Sequence, residues 1–199
     1  MRYAKVDSNG TLSAREDIDV PEVHSSTLMM KCLQKGDGIL LIDATSGEQL
    51  TFSEVHQTAS RMALGLVAAG LSPGDIVYCI CDDTAKYACF ILGVQFAGLT
   101  YSGNYAIATA REVKNQVTGL KAKAICCSKS NIKIAIEVAE EVASISTLIV
   151  MDDVMCEPLK SGKKIVTLSD LISGPTSLSQ SELPLLPSES PESSPAYIM

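Results

Sequence analysis

Between Ile76 and Met151 the chain alternates short apolar runs with helix-patterned segments, and this alternation restricts it to a layered α/β fold. Ile76–Cys81, Leu99–Tyr101, Ala122–Cys127 and Thr147–Met151 read as strands. Helices are predicted between them: about Ala85 to Ala97, a second opening at Thr109, and a third over Asn131 to Ala143. A run such as Ile76–Cys81, apolar at successive positions, suits a strand buried on both faces. Successive parallel strands need crossovers, and the crossovers are right-handed. The expected architecture is therefore a mainly parallel sheet with helices on both faces.

Local signals fix where the elements start and stop. Ile39–Asp43 and Gln49–Phe52 flank the turn residues Thr45-Ser46-Gly47-Glu48, a hairpin pattern with a longer loop. Thr51 and Glu54 form a capping box, followed by Val55, Ala59, Met62, Ala63, Leu66 and Val67 at helical spacing. Gly70 supplies a left-handed stop, and Ser72-Pro73-Gly74-Asp75 is a turn. Asp82-Asp83-Thr84 caps a helix that is apolar almost all round, and Thr109 with Glu112 forms a second capping box ahead of Val113, Val117 and Leu120. Lys163–Thr167 reads as a further strand and Ser169–Ile172 as a helical turn.

The remaining segments set the domain organisation. Residues 1–21 are polar and expected to be irregular, and a helix is predicted from about Glu22 to Lys35. Residues 22–172 form the α/β portion. From 173 to 195 Ser and Pro dominate and no Lys or Arg occurs, as in a linker or surface loop. Residues 196–199 turn apolar again, like the opening of a truncated strand.

Composition excludes several functions. A chain 46% hydrophobic and 20% charged builds a core, while a net charge of -7 argues against a nucleic-acid binder. An aromatic content of 5% without Trp removes base-stacking platforms. The odd count of seven Cys, with Cys79, Cys81, Cys89, Cys126 and Cys127 in apolar stretches, predicts reduced core thiols and an intracellular, reducing compartment. No CxxC pair occurs, and His24 and His56 stand far from the cysteines, so no zinc ligand set is assembled. The amino terminus has no apolar signal core, and Ala88–Leu99 is too short to span a bilayer.

Reactive signatures are equally sparse. Gly98 to Gly103 has the glycine spacing of a phosphate loop, but Asn104-Tyr105 stands where Lys and Ser/Thr belong; Gly93 and Gly98 repeat the spacing inside a predicted helix. Neither GxGxxG nor a GxSxG elbow is present. His56 fits a solvated or core-edge position better than a catalytic one. Asp82-Asp83 and Asp152-Asp153 follow strands, where ligands bind in open α/β sheets, but capping and turn formation explain the same residues. From Arg111 to Lys133 six basic residues (Arg111, Lys114, Lys121, Lys123, Lys129, Lys133) face one acid, Glu112: either the wet faces of helices or a patch for an anionic cofactor or partner.

Ordered patterns from about Leu50 to Asp153 resemble the amino-terminal part of the acyl-adenylate-forming enzymes, the acyl-CoA synthetases, coumarate–CoA ligases and luciferases. Leu50-Thr51-Phe52-Ser53-Glu54-Val55 resembles that family's TYxEL opening, and Gly70 to Val77 its GxxxGDxV turn into a strand. Leu92 to Tyr101 is similar to LGxxxAGAxY, and Thr109 to Gln116 to TxxELxxQ. Ser102-Gly103 departs from the usual Val-Pro. Ser194 to Met199 resembles the strand that leads into the family's Ser/Thr/Gly-rich phosphate loop.

The resemblance implies an incomplete amino-terminal subdomain of an adenylate-forming enzyme. A complete member would use ATP, Mg and CoA to activate a small carboxylic acid, a fatty acid or a phenylpropanoid. Attack of a carboxylate on the α-phosphate brings two anions together and requires cations and donors around the phosphates. No residue here is assigned as catalytic, cofactor-binding or metal-binding, so the chain is expected to bind no cofactor and to be inactive alone. The alternative is a non-catalytic regulatory or docking module on the same scaffold, engaging a protein through an exposed sheet edge. The compartment implied is cytoplasmic or peroxisomal.

Overall fold

The strands Ile76–Ile80, Ala124–Cys127 and Thr147–Val150 of the central sheet bury alternate side chains in two separate cores, so their sequences read as nearly unbroken apolar runs. The structure, a computed structural model, describes residues 4–6, 12–14, 33, 37–154, 157–173 and 197–198. In chain order the elements are β1 (Ala4–Val6), β2 (Leu12–Ala14), β3 (Ile39–Ile42), β4 (Gln49–Thr51), α1 (Phe52–Ala68), β5 (Ile76–Ile80), α2 (Ala85–Phe96), β6 (Thr100–Gly103), α3 (Ala110–Leu120), β7 (Ala124–Cys127), α4 (Ile132–Glu141), β8 (Thr147–Val150), β9 (Lys164–Thr167), α5 (Leu168–Ser173) and β10 (Tyr197–Ile198). A single 3-10 turn, Lys129–Asn131, leads into α4.

The main sheet has the order β10-β6-β5-β7-β8-β9, every neighbouring pair parallel. On one face Val77 and Cys79 of β5, Cys126 of β7 and Ile149 of β8 pack against α1, α2 and α5. On the other, Tyr78 and Ile80, Ile125 and Cys127, and Leu148 and Val150 pack against Val113 and Val117 of α3 and Ala135, Val138 and Ala139 of α4. The helix after β5 thus covers one face, and those after β6 and β7 cover the other. No helix among the described residues is long and apolar enough to cross a membrane.

Both predicted capping boxes are formed. The Thr51 hydroxyl accepts from the Glu54 amide while the Glu54 carboxylate accepts from the Thr51 amide, and Thr109 and Glu112 repeat this at α3. Of the three candidates at α2 the cap is Thr84, whose hydroxyl accepts from the Tyr87 amide at 3.1 Å; Asp82 and Asp83 do not cap it. Gly70 (φ +96°) and Gly74 (φ +88°) take left-handed conformations at the expected stop and turn. The hairpin β3–β4 is antiparallel, with a register irregularity between Ile39 and Leu41.

The amino-terminal segment differs from expectation. Within residues 1–21, predicted to be irregular, β1 and β2 pair antiparallel: Ala4-Lys5-Val6 and Leu12-Ser13-Ala14 alternate apolar and polar residues, a strand pattern too short to stand out in a polar segment. Of the helix expected over Glu22–Lys35 only Leu33 lies among the described residues, and it is buried in the core beside α1 and α2. The segment 173–195 lies outside the described residues apart from Ser173.

Two close contacts hold the first core together. A Cβ at Gly65 would lie 2.6 Å from both Cα and O of Leu171, so α1 and α5 meet backbone to backbone there. A Cβ at Gly93 would lie 3.0 Å from the Ala59 carbonyl and from the Met62 Cβ, marking a similar approach of α2 to α1. Asp43 joins the hairpin to the sheet layers. Its Oδ1 accepts from the amides of Thr45 and Ser46, and its Oδ2 accepts from the amide of Ala85 in the first turn of α2. These bonds, those from Ser46 and Ala85 first, hold its carboxyl down at about 2.

Gly65→Ala is expected to lower stability by about 1–3 kcal/mol, because α5 must shift to admit the methyl group. Gly119→Ala, at an α3 position with nothing within 4 Å, is expected to raise it by about 0.5–1 kcal/mol. Urea denaturation midpoints check both. Because the folded carboxyl of Asp43 titrates below its ordinary value of 3.8, its contribution is complete above that pH and is lost as pH falls toward about 2. Asp43→Asn should therefore be less stable than the parent at neutral pH, and the gap should narrow as pH falls through that window.

Candidate functional site

In an open parallel sheet a ligand crevice forms beyond the carboxyl ends of the strands, where successive helices leave on opposite faces. Here that point lies between β5, whose helix α2 covers one face, and β7, whose helix α4 covers the other. Its residues are Asp82, Asp83 and Thr84 after β5 and Ser128 to Asn131 after β7.

The polar groups at this position are engaged with one another. The Asp82 amide donates to Ser128 Oγ at 2.6 Å, and Ser130 Oγ donates to the Asp82 carboxylate at 2.7 Å. Asn131 Nδ2 donates to the Ile80 carbonyl at 3.3 Å. The Lys129 amide donates to Asp152 at 2.7 Å and the Ser169 amide to Asp153 at 2.9 Å. Hydrogen bonds from Ser169 lower the carboxyl of Asp153. The four carboxylates read from sequence thus divide: Asp82, Asp152 and Asp153 tie neighbouring carboxyl-end loops together, while Asp83 is exposed.

A second polar group sits at the carboxyl end of β6. Gln116 Oε1, on α3, accepts from the Tyr78 hydroxyl and from Asn104 Nδ2, the latter at 3.3 Å. Burial pushes the Tyr78 hydroxyl up to about 12, so it remains a donor. On the opposite face the hydroxyls of Tyr87 and Tyr101 pair at 2.8 Å, and burial raises Tyr87 above the ordinary tyrosine range. Gly103 lies between these groups; a Cβ there would stand 2.7 Å from the Cys79 carbonyl. Strand β10 runs parallel beside this end of β6, with Ile198 opposite Ser102. The loop that follows exposes Tyr105 and Ile107. Sequence reasoning took Gln116 as part of a motif without assigning it a contact, because its partners Tyr78 and Asn104 belong to other elements.

The remaining candidates resolve individually. Gly98, in a turn at φ +71°, and Gly103 occupy opposite ends of β6, and Gly93 is buried in α2, so neither glycine pair forms a loop. His56 is half-buried with its ring tilted on Phe96 at 6.2 Å, and burial lowers its affinity for a proton. Its Nε2 has no hydrogen-bond partner among the described residues. His24 lies outside them. The six basic side chains of the Arg111–Lys133 run are all exposed, and Lys114 pairs with Glu141 of α4 at 2.5 Å. Cys79, Cys81, Cys89 and Cys126 are buried free thiols and Cys127 is buried too.

A magnesium–triphosphate group requires clustered carboxylates and convergent cations or amides. Among the described residues no three His, Cys, Asp or Glu side chains converge to hold a metal, and the carboxyl-end amides noted above donate to side chains of the chain itself. The described residues therefore do not fit that group.

Comparison with known proteins assigns the scaffold. The chain is 27% identical over 95 residues to 4-coumarate–CoA ligase-like 1 of Arabidopsis thaliana, an alignment covering 48% of this chain and 18% of that protein. It is 31% identical over 94 residues to 4-coumarate–CoA ligase-like 9 of Oryza sativa subsp. japonica, covering 47% and 17%. The chain thus spans about a fifth of the length of the curated relatives it matches. In fold it is similar to a natural red-emitting luciferase from Phrixothrix hirtus, with a TM-score of 0.72 at 19% identity over 92% of this chain and 34% of that one. It is also similar to coronafacic acid ligase from Pectobacterium brasiliense, with a TM-score of 0.67 at 15% identity over 77% and 30%. Residues 30–199 match the family described as AMP-binding enzyme, and the chain belongs to that family.

Proposed function

We propose that this chain is the amino-terminal scaffold of an ATP-dependent carboxylic acid–CoA ligase and that, by itself, it carries out no adenylation. The complete protein would join a small carboxylic acid to CoA through an acyl-adenylate, using ATP and Mg. The carboxyl edge of the sheet carries the reading: after β5, β7 and β8 its polar groups bond to one another. An anionic transition state at that edge would meet amides already committed to Asp and Ser oxygens.

The phenylpropanoid class of acid is favoured over fatty acids by the coumarate–CoA ligase-like relatives. A non-catalytic docking module on the same scaffold is the second reading, and the exposed Tyr105 and Ile107 beside the β6–β10 edge favour it. Both readings place the protein inside the cell.

ATP–pyrophosphate exchange tests the first reading. The purified chain, offered hydroxycinnamic acids and fatty acids with Mg–ATP, is expected to show exchange no faster than a buffer control. Acid-dependent exchange above that control would remove the proposal. Sedimentation separates the second reading: a docking module should be soluble and monodisperse, and the double variant Tyr105→Ser/Ile107→Ser should leave its sedimentation unchanged while abolishing association with a full-length ligase.

A further inference from the structure

Three cysteines from two adjacent strands meet on one face of the sheet. Cys79 and Cys126 are register partners on β5 and β7, and Cys81 follows β5 by one residue. Cys81 Sγ lies 3.6 Å from Cys126 Sγ, and both belong to the core under α1 and α2. Cys127, although adjacent to Cys126, points into the opposite core. Ordinary packing accounts for an isolated buried thiol such as Cys89. It does not require two sulfurs to face each other across adjacent strands at the end of the sheet.

We infer that Cys81 and Cys126 form an oxidisable dithiol, a site at which a hydroperoxide converts the pair to a disulfide linking β5 to β7. The sulfurs must close from 3.6 Å to about 2.05 Å; because Cys81 stands two residues beyond Cys79, the register partner of Cys126, closure draws the two strand ends together as well as rotating the side chains. Their positions assign the roles. Cys81 is 6% exposed at the carboxyl edge, whereas Cys79 and Cys126 are fully buried. Burial raises the Cys79 and Cys126 thiols, and a peroxide arriving from the carboxyl edge meets Cys81 first.

The balance is complete with the hydroperoxide as oxidant. Cys81 sulfur attacks one peroxide oxygen, the O–O bond breaks, and an alcohol (or water, from hydrogen peroxide) departs with the thiol proton, leaving a sulfenic acid. Cys126 sulfur then attacks Cys81 sulfur, the S–O bond breaks, and water leaves with the second proton. Two electrons pass from the sulfur pair to the peroxide. The bond would close beside the Asp82–Ser128 contact and tie together the two strands that flank the crevice.

The test is peptide mapping of the folded full chain after hydrogen peroxide titration, without reduction. Trypsin separates Cys79 and Cys81, on 62–86, from Cys126 and Cys127, on 124–129. The expected result is loss of two of the seven thiols together, with these peptides joined by a bond that dithiothreitol cleaves. Cys81→Ser and Cys126→Ser should each abolish the link, and Cys79→Ser and Cys127→Ser should retain it. Because a core Ser variant can fail to fold, fragmentation of the linked peptides from the parent by tandem mass spectrometry is expected to place the bond between Cys81 and Cys126, and a bond placed at Cys79 or Cys127 would overturn the inference. Persistence of both peptides as free thiols while the chain remains folded would overturn the inference, as would a link that survives Cys81→Ser.

Discussion

The double burial of β5 is the constraint on which the rest of the structure depends. Val77 and Cys79 enter one core and Tyr78 and Ile80 the other, so this strand requires a helix layer on each side. Its neighbours β6 and β7 are parallel to it, which obliges the chain to return through helices rather than hairpins. Helix α2 closes the first face against α1, and α3 and α4 close the second. The close approach at Gly65 and Gly93 then follows from fitting three helices over one face of the sheet.

That arrangement also determines where polar groups collect. With both faces apolar, the loops at the strand ends must satisfy the freed backbone amides, and at the carboxyl edge they do so with Asp and Ser side chains. Asp82, Ser128, Asp152 and Asp153 join β5, β7, β8 and β9 end to end through bonds of 2.6 to 2.9 Å. The loops at this edge are joined by their own contacts. A ligand entering there would have to exchange an existing bond for each new one, at a cost set by the desolvation of the groups released.

Much of the fold could be read directly because its signals are local. A capping box spans four residues, and a strand buried on both faces shows as an apolar run, so α1, α3, β5 and β7 were legible. The cap of α2 was less so: three adjacent candidates, Asp82, Asp83 and Thr84, share the required chemistry, and only the geometry selects Thr84. The average polarity of residues 1–21 hid β1 and β2, because the alternation in Ala4-Lys5-Val6 and Leu12-Ser13-Ala14 is only three residues long in each strand. The site was the least legible part. The bonds of Gln116 to Tyr78 and Asn104, and of Asp82 to Ser128, join residues that only the sheet order brings together.

The residues that carry the family resemblance have structural roles. Thr51 with Glu54 and Thr109 with Glu112 close helix starts, and Gly70 and Gly74 supply left-handed turns. Gly93 admits α1 against α2, Gly98 turns the chain into β6, and Gln116 brackets Tyr78 and Asn104. All of these satisfy backbone donors, permit a close approach or anchor a buried hydroxyl. The pattern therefore specifies a scaffold independently of the reaction performed on it. Such a scaffold can persist through changes of substrate, because the constraints on its sequence come from helix ends, turns and helix contacts rather than from reacting atoms.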